Sequence, residues 1–269
     1  VATALELDPN LAEAWASSAL IRSFRGQYDR ADPLYRRSIA LNPNYAAAYQ
    51  RFSRNAGGIG HRDEALTAAE KAVELDPLSA IVNTDLGRAL VSVGRFDEAA
   101  DRFRKANEID PEMPMPYRQA GVLDAYARNR FADAVPLLQR AAALDPDNPL
   151  LELYLARLYL DLGDDVEATR VIEAARKRWP DHGAVLMVSA EMHMYRGEWD
   201  AALKDTQRLL ALDSWTADLD AVLQWMRDAD LKQGNYQAAR LRYAKAYPAL
   251  FASTSPAIDG SNWQAAIDV

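Results

Sequence analysis

The chain has 269 residues, 49% apolar and 26% charged, with a formal net charge of -8 and no cysteine. That acidic balance argues against broad nucleic-acid binding, which needs a basic surplus facing phosphate. The missing cysteines exclude disulfides, thiolate nucleophiles and cysteine-bound zinc, and they leave the compartment open, with a cytoplasmic setting as the working expectation and a periplasmic one not excluded. No apolar run reaches the roughly 20 residues of a membrane-crossing helix, so direct membrane insertion is not expected.

The chain opens on "ALELDPN" at residues 4–10, and near-copies follow as "IALNPN" (39–44), "AVELDPL" (72–78), "NEIDPE" (107–112) and "AAALDPD" (141–147). Aligned, they place prolines at 9, 43, 77, 111, 146 and 180, with Ser214 in the next slot, at steps of 34 or 35 residues. Seventeen residues before each slot from Pro43 onward stands Gly26, Gly60, Gly94, Asn129, Gly163 or Gly197. Each repeat therefore has two halves, each with the length and apolar spacing of a helix of three to four turns. Proline has no N–H and drives its predecessor out of the α region, so "LDP" ends one helix and turns into the next. Glycine or asparagine suits the left-handed residue just past a helix end. Turns this short force the helices into antiparallel pairs.

Side-chain size by column supports that pairing. Three residues into the second helix stand Ala31, Ala65, Ala99, Ala134, Ala168, Ala202 and, after a shift, Ala239. A column confined to the smallest side chain implies a close helix crossing, where a larger residue overpacks at about 1–3 kcal/mol. A column in the first helix is also small: Ala19, Ser53, Gly87, Gly121, Ala156, Ala190. Large residues fill neighbouring slots, among them Trp15, Tyr49 and Tyr117, Tyr28, Phe96, Phe131 and Trp199, and Tyr35, Phe103, Leu138 and Ile172.

A 34-residue helix–turn–helix with an aromatic, a small residue four positions on, an aromatic after glycine, a fixed alanine and a closing proline resembles the tetratricopeptide repeat. The resemblance implies an all-α fold, a right-handed superhelical solenoid of antiparallel helix pairs stabilised by stacking on neighbours. It predicts an array over residues 1–251, with a half repeat at 1–9, six full repeats and an atypical seventh from about Trp215. A linker and short capping or truncated helix are expected over 252–269. Arg62 and Asp165 replace the post-glycine aromatic and Gly234 arrives late, so the second, fifth and seventh repeats are expected to be the loosest. Val1 falls in what the register makes the middle of a helix, and the chain is expected to be a piece of a longer polypeptide. With its "YPAL…SNWQAAI" tail the array also resembles, less closely, the C-terminal repeat segment of bacterial signalling regulators that carry a winged-helix or class III cyclase domain, sometimes with a TolB-like segment.

Chemistry-bearing constellations are sparse. His61, His182 and His193 lack the i, i+4 spacing of a helical metal site. "MHM" at 192–194 points its side chains in different directions, so it reads as packing with one half-exposed imidazole. "NAGGIGHR" (55–62) lacks the Lys-Ser/Thr of a phosphate cradle and reads as a loosened turn. "GDD" (163–165) and "DLD" (218–220) suit helix starts and a solvated surface. No catalytic residue, no metal site and no cofactor are expected, and the chain is read as a non-enzyme.

The resemblance implies that first helices line a concave surface. Residues one turn apart share a face, which selects as groove-lining Gln50, Arg54, Thr84, Arg88, Met115, Arg118, Tyr126, Leu150, Tyr154, Arg157, Met187, Glu191 and Met194. Arg54, Arg88 and Arg157 share one column and Arg118 lies one turn before it, a basic stripe in an acidic protein. Two readings stay open: arginine forks that grip carboxylates of an extended peptide or its free C-terminus, or ordinary bridges to Asp85, Asp124 or Asp161 worth under about 1 kcal/mol each. The lysine–asparagine clamp of chaperone-binding members is not matched, since Ala16, Leu20 and Arg54 stand at its positions. The expected function is a protein-interaction scaffold for a peptide or partner domain, acidic in character. The alternative is a regulatory, sensory or self-associating segment, with a homodimer formed through the array ends.

Overall fold

The computed structural model describes residues 2–212, and every regular element among them is helical. In chain order these are α1 (Ala2–Leu7), α2 (Ala12–Phe24), α3 (Tyr28–Leu41), α4 (Ala46–Gly58), α5 (Arg62–Leu75), α6 (Ala80–Ser92), α7 (Phe96–Ile109), α8 (Pro114–Tyr126), α9 (Phe131–Leu144), α10 (Pro149–Asp161), α11 (Asp165–Arg178), α12 (Gly183–Tyr195) and α13 (Trp199–Leu210). The expectations for Ser214, the seventh repeat, Gly234, Ala239 and the cap at 252–269 lie outside the described residues. The chain divides into two compact units, an N-terminal one at Val1–Pro146 and a C-terminal one at Asp147–Val269.

The helix ends fall where the punctuation placed them. Helices α3, α5, α7 and α9 stop at Leu41, Leu75, Ile109 and Leu144, two residues before a proline in every case. The residue between is pushed toward extended backbone, as at Asn42 (φ -139°, ψ 90°) and Asp110 (φ -135°, ψ 91°), because proline's ring crowds the α region of its predecessor. Between the two helices of a repeat the chain reverses through a left-handed residue, Gly94 at φ 78° and, in the longer fourth repeat, Asn129 at φ 53°. Asparagine is the side-chain-bearing residue that tolerates this region best. The extra residue is looped into the turn: Arg95 N–H bonds Leu90 O at 2.9 Å, whereas Arg130 N–H reaches one residue further back, to Asp124 O at 2.7 Å.

Consecutive helices pair, α2 with α3, α4 with α5, α6 with α7 and α8 with α9 in the N-terminal unit, and α10 with α11 and α12 with α13 in the C-terminal one. First helices also touch first helices, α2–α4–α6–α8 in one unit and α10–α12 in the other, with no comparable contact between second helices. The first helices thus line the inner side of each unit. The fold is the all-α stack of antiparallel hairpins that the repeat predicts.

The alanine column sits at the crossings. Ala31, Ala65, Ala99, Ala134, Ala168 and Ala202 are all at most 2% exposed. The small first-helix column is complementary to its partner: a Cβ at Gly87 meets the Phe103 ring at 2.4 Å, and one at Gly121 meets Leu138 Cγ at 2.8 Å. In the second repeat the residue in the Phe103 column is Ala69, and there Ser53 is accommodated. Phe103 anchors a cluster with Leu86, Leu90, Ala99 and Leu123, against which Phe96 packs; burying a side chain of this size contributes roughly 2–3 kcal/mol. Arg62 and Asp165, in the slot of Phe96, are exposed.

Arginines staple successive repeats on the surface. Arg36 joins Asp32 of its own helix to Glu64 of α5, at 2.7 and 2.6 Å. Arg140 reaches Pro111 O (3.2 Å) and Glu112 (2.8 Å), and Arg208, in the same column two repeats later, reaches Pro180 O (3.1 Å) and Asp181 (2.5 Å). Exposed pairs of this kind contribute under about 1 kcal/mol each.

Candidate functional site

On the inner side of the N-terminal unit, α2, α4 and α6 enclose a cavity of about 380 Å³. Leu20, Phe24 and Tyr28 line it with apolar groups, with Phe24 79% exposed. Arg51, Arg54 and Arg88 line it with cations. Its lining also holds a polar floor: Ser23 Oγ donates to Asn55 Oδ1 at 2.8 Å and lies 3.4 Å from the Tyr35 hydroxyl, while Asn55 Nδ2 donates to Tyr28 O at 3.1 Å. Asn55 is thereby fixed in orientation by backbone and hydroxyl alike.

Asp85 sets the electrostatics. It is 3% exposed; Gln50 Nε2 donates to its Oδ2 and Arg88 Nη1 to its Oδ1 at 3.3 Å. Burial pushes its carboxyl above the ordinary carboxylate range, against the opposing pull of the Gln50 hydrogen bond and the charges of Arg54 and Arg88. Tyr35's phenol is likewise raised by burial and drawn down by the Ser23 hydrogen bond and by Arg51 and Arg54. Arg54 itself is exposed, and among the described residues no carboxylate comes within ion-pair reach of it.

The residues singled out from sequence separate into groups. Arg54 and Arg88 line the cavity. Met115 and Arg118 are half-buried on α8 and Tyr126 is exposed at its end, in the same unit. Gln50 and Thr84 do not reach the surface: Gln50 is 7% exposed and sits under Asp85, and Thr84 is fully buried with its hydroxyl on Ala80 O at 2.7 Å. Four residues on a helix advance 400°, so the column one turn before Arg54 and Arg88 is rotated about 40° out of the inner face. In the C-terminal unit Leu150 and Arg157 are exposed and Tyr154, Met187, Glu191 and Met194 are half-buried. There Arg157 Nη2 donates to Glu191 Oε1 at 3.0 Å. Burial raises the Glu191 carboxyl, Arg157 pulls it down and Asp161 pushes it up. Of the acids named as internal partners, Asp85 does hold Arg88, whereas Arg157 takes Glu191 rather than Asp161, and Asp124 pairs with Arg128 at 2.8 Å.

A second polar centre in the C-terminal unit had no sequence signature. Arg176 of α11 grips Asp205 of α13 with two bonds (3.1 and 3.2 Å) and donates to Ser189 Oγ (2.7 Å), and Ser189 donates to Asp205 Oδ2 (2.6 Å). His193 places Nδ1 2.5 Å from Glu198 Oε2 and Nε2 3.2 Å from Arg176 Nη1. With Nδ1–H donating to Glu198, Nε2 accepts from the guanidinium. Serine, histidine and aspartate meet here without forming a nucleophile, since Ser189 is fully buried and its proton is committed to Asp205. The centre ties three helices together. Among the described residues no group of His, Asp or Glu could hold a metal ion, and no helix is long and apolar enough to cross a membrane.

Stacked helix hairpins with left-handed turns, buried alanine crossings and an inner face of first helices define a helical-repeat scaffold. Family models for the tetratricopeptide repeat match residues 14–46, 51–114 and 125–192, together more than half of the chain, and the chain belongs to the tetratricopeptide repeat family. No curated protein matches it significantly. Among solved structures it is similar to PilW, a type IV pilus biogenesis factor (21% identity, 79% of this chain and 98% of that one, TM-score 0.68). It is also similar to PilF of Pseudomonas aeruginosa (18% identity, 82% and 97%, TM-score 0.65) and to a tetratricopeptide repeat protein of Parabacteroides merdae (15% identity, 88% and 92%, TM-score 0.67). At these identities the likeness is one of fold. Tetratricopeptide repeat proteins are generally non-catalytic scaffolds for protein interaction.

Proposed function

We propose that this chain binds an extended peptide along the inner face of its N-terminal unit, seating an acidic group against Arg54 and Arg88 and an apolar side chain against Leu20, Phe24 and Tyr28. Met115 and Tyr126 offer further contacts in the same unit, while Arg118 shares the column of Gln50 and Thr84, which is turned away from the inner face. The observation that carries the reading is Arg54: an exposed guanidinium with no carboxylate in ion-pair reach among the described residues, lining a cavity that Phe24 and Tyr28 also line. A ligand carboxylate there competes with water and not with an internal ion-pair partner, and a charge-assisted bond to the guanidinium is among the stronger hydrogen bonds. Aromatic and aliphatic groups beside it supply the desolvated contact that such a bond needs.

A display selection on the full chain, with random peptides of free and blocked C-termini, tests the proposal. Enrichment of peptides combining an acidic with an aromatic or aliphatic residue is expected, and their capture should fail on Arg54→Glu/Arg88→Glu. Equal capture by that double variant overturns the reading.

A further inference from the structure

Resting on the same reading, we infer that Gly57 and Gly58 set the selectivity of this pocket: by withholding two side chains from the last turn of α4, they leave an apolar recess beside Tyr28 that takes one aromatic side chain of the ligand. The two glycines belong to the "NAGGIGHR" stretch, and both line the cavity. Helix α4 ends on them, whereas α2 ends on Ser23–Phe24, α6 on Val91–Ser92 and α8 on Ala125–Tyr126. Glycine weakens a helix relative to alanine because it has more backbone freedom to lose, so a pair of them calls for a reason.

Backbone geometry does not supply one, since neither glycine takes the left-handed φ that Gly60 takes two residues on. Packing does not require Gly57 either. A Cβ there would come no nearer than 3.9 Å, to Ala65 Cβ, whereas one at Gly87 would collide with the Phe103 ring. At Gly58 a Cβ would meet the Tyr28 ring at 3.4 Å, so its absence lets that ring lie against the α4 backbone as a wall of the recess. In the third repeat Val91 and Phe96 both pack on the Phe103 cluster; their counterparts in the second are Gly57 and Arg62, and Arg62 is exposed. Apolar bulk that closes the third repeat is therefore missing here, and Gly57, Gly58 and Ala65 line the cavity instead.

The walls suit an aromatic occupant. Phe24 and Tyr28 offer rings for edge or offset contact, and the exposed Phe24 has apolar surface to bury. Arg51, Arg54 and Arg88 line the same cavity, and a guanidinium stacks on a ring as readily as it holds a carboxylate.

The test titrates the full chain with two carboxylates that differ by a ring, hydrocinnamate and propionate, and reads the side-chain Nε–H resonances of arginine. The wild type is expected to bind hydrocinnamate more tightly. Gly57→Val/Gly58→Ser gives α4 the ending that α6 carries; it should weaken hydrocinnamate about tenfold and leave propionate unchanged. Gly57→Ala, a single methyl group, should weaken hydrocinnamate less and raise the thermal midpoint by roughly 1–4 °C. Weaker ring binding on a more stable fold marks glycines kept for a ligand, because removing a packing glycine lowers stability. A wild type without ring preference, an unchanged preference in the folded variants, or a lower midpoint for Gly57→Ala overturns the inference, and the groove reading survives if Arg54→Glu loses both acids. If Arg54→Glu binds as the wild type does, or if the wild type shows no saturable response to hydrocinnamate, the groove reading falls and the recess with it.

Discussion

The two units place different charges in one column of the repeat. In the N-terminal unit consecutive first helices carry Arg54 and Arg88, two like charges that cannot satisfy each other, and a cavity opens beside them. In the C-terminal unit the same column carries Arg157 and then Glu191, and these close on each other at 3.0 Å. One reversal of sign, 34 residues on, separates a column in which Arg88 turns to Asp85 of its own helix from one in which Arg157 finds its partner in the next repeat. The C-terminal unit also holds a bidentate pair, half-buried Arg176 of α11 with buried Asp205 of α13. Column identity in a repeat array therefore says where a side chain stands, and the next repeat's residue says whether it is available.

The comparison can be broken most forcefully at the Arg176–Asp205 pair. Asp205→Ala strands Arg176 and takes the acceptor from Ser189, which should cost about 3 kcal/mol. Urea unfolding followed by hydrogen exchange should show protection lost over residues 147–212 and kept over 2–146. Gly87→Ala in the N-terminal unit sets a Cβ against the Phe103 ring and should cost about 1–3 kcal/mol, with the loss of protection now on the N-terminal side.

Freeing Arg157 sharpens the contrast. Glu191→Gln should give the C-terminal unit the ability to bind an acidic peptide that it lacks as wild type, seen as a second, weaker step in calorimetric titration. An unchanged single step would show that pairing is not what separates the units.

The smallest effect is in pH. Burial raises the Asp85 carboxyl, so the folded chain holds that proton to higher pH than the unfolded chain does. The stability from this source is complete below the ordinary carboxylate value of about 4 and is lost as pH climbs through the raised one. Asp85→Asn should flatten that part of the melting temperature's dependence on pH, and Glu191→Gln should do the same for the raised carboxyl of the C-terminal unit.

The hairpins were legible because their causes are local and repeated: proline stops, left-handed turns, and an alanine at every crossing among the described residues. The site was legible in part. Arg54 and Arg88 were found by column, but Thr84 and Gln50 were placed on the inner face by spacing alone, which ignores the 40° that a side chain turns in four residues. The partner of Arg157 was visible in principle, since Glu191 stands in its own column, yet adjacent-turn reasoning looks along one helix and misses the neighbour across the stack. Ser23, Asn55 and Tyr35 carried no signal, because what makes them a polar floor is the meeting of α2, α3 and α4. Arg176, Ser189, His193 and Asp205 come together from three helices and leave no spacing that a single sequence can show.

The most direct measurement is a paired titration of one selected acidic–aromatic peptide against Arg54→Glu and Arg157→Glu by fluorescence anisotropy. Availability of the guanidinium predicts a loss of at least about tenfold for Arg54→Glu and wild-type affinity for Arg157→Glu. Equal losses in both, or none in the first, would contradict the account.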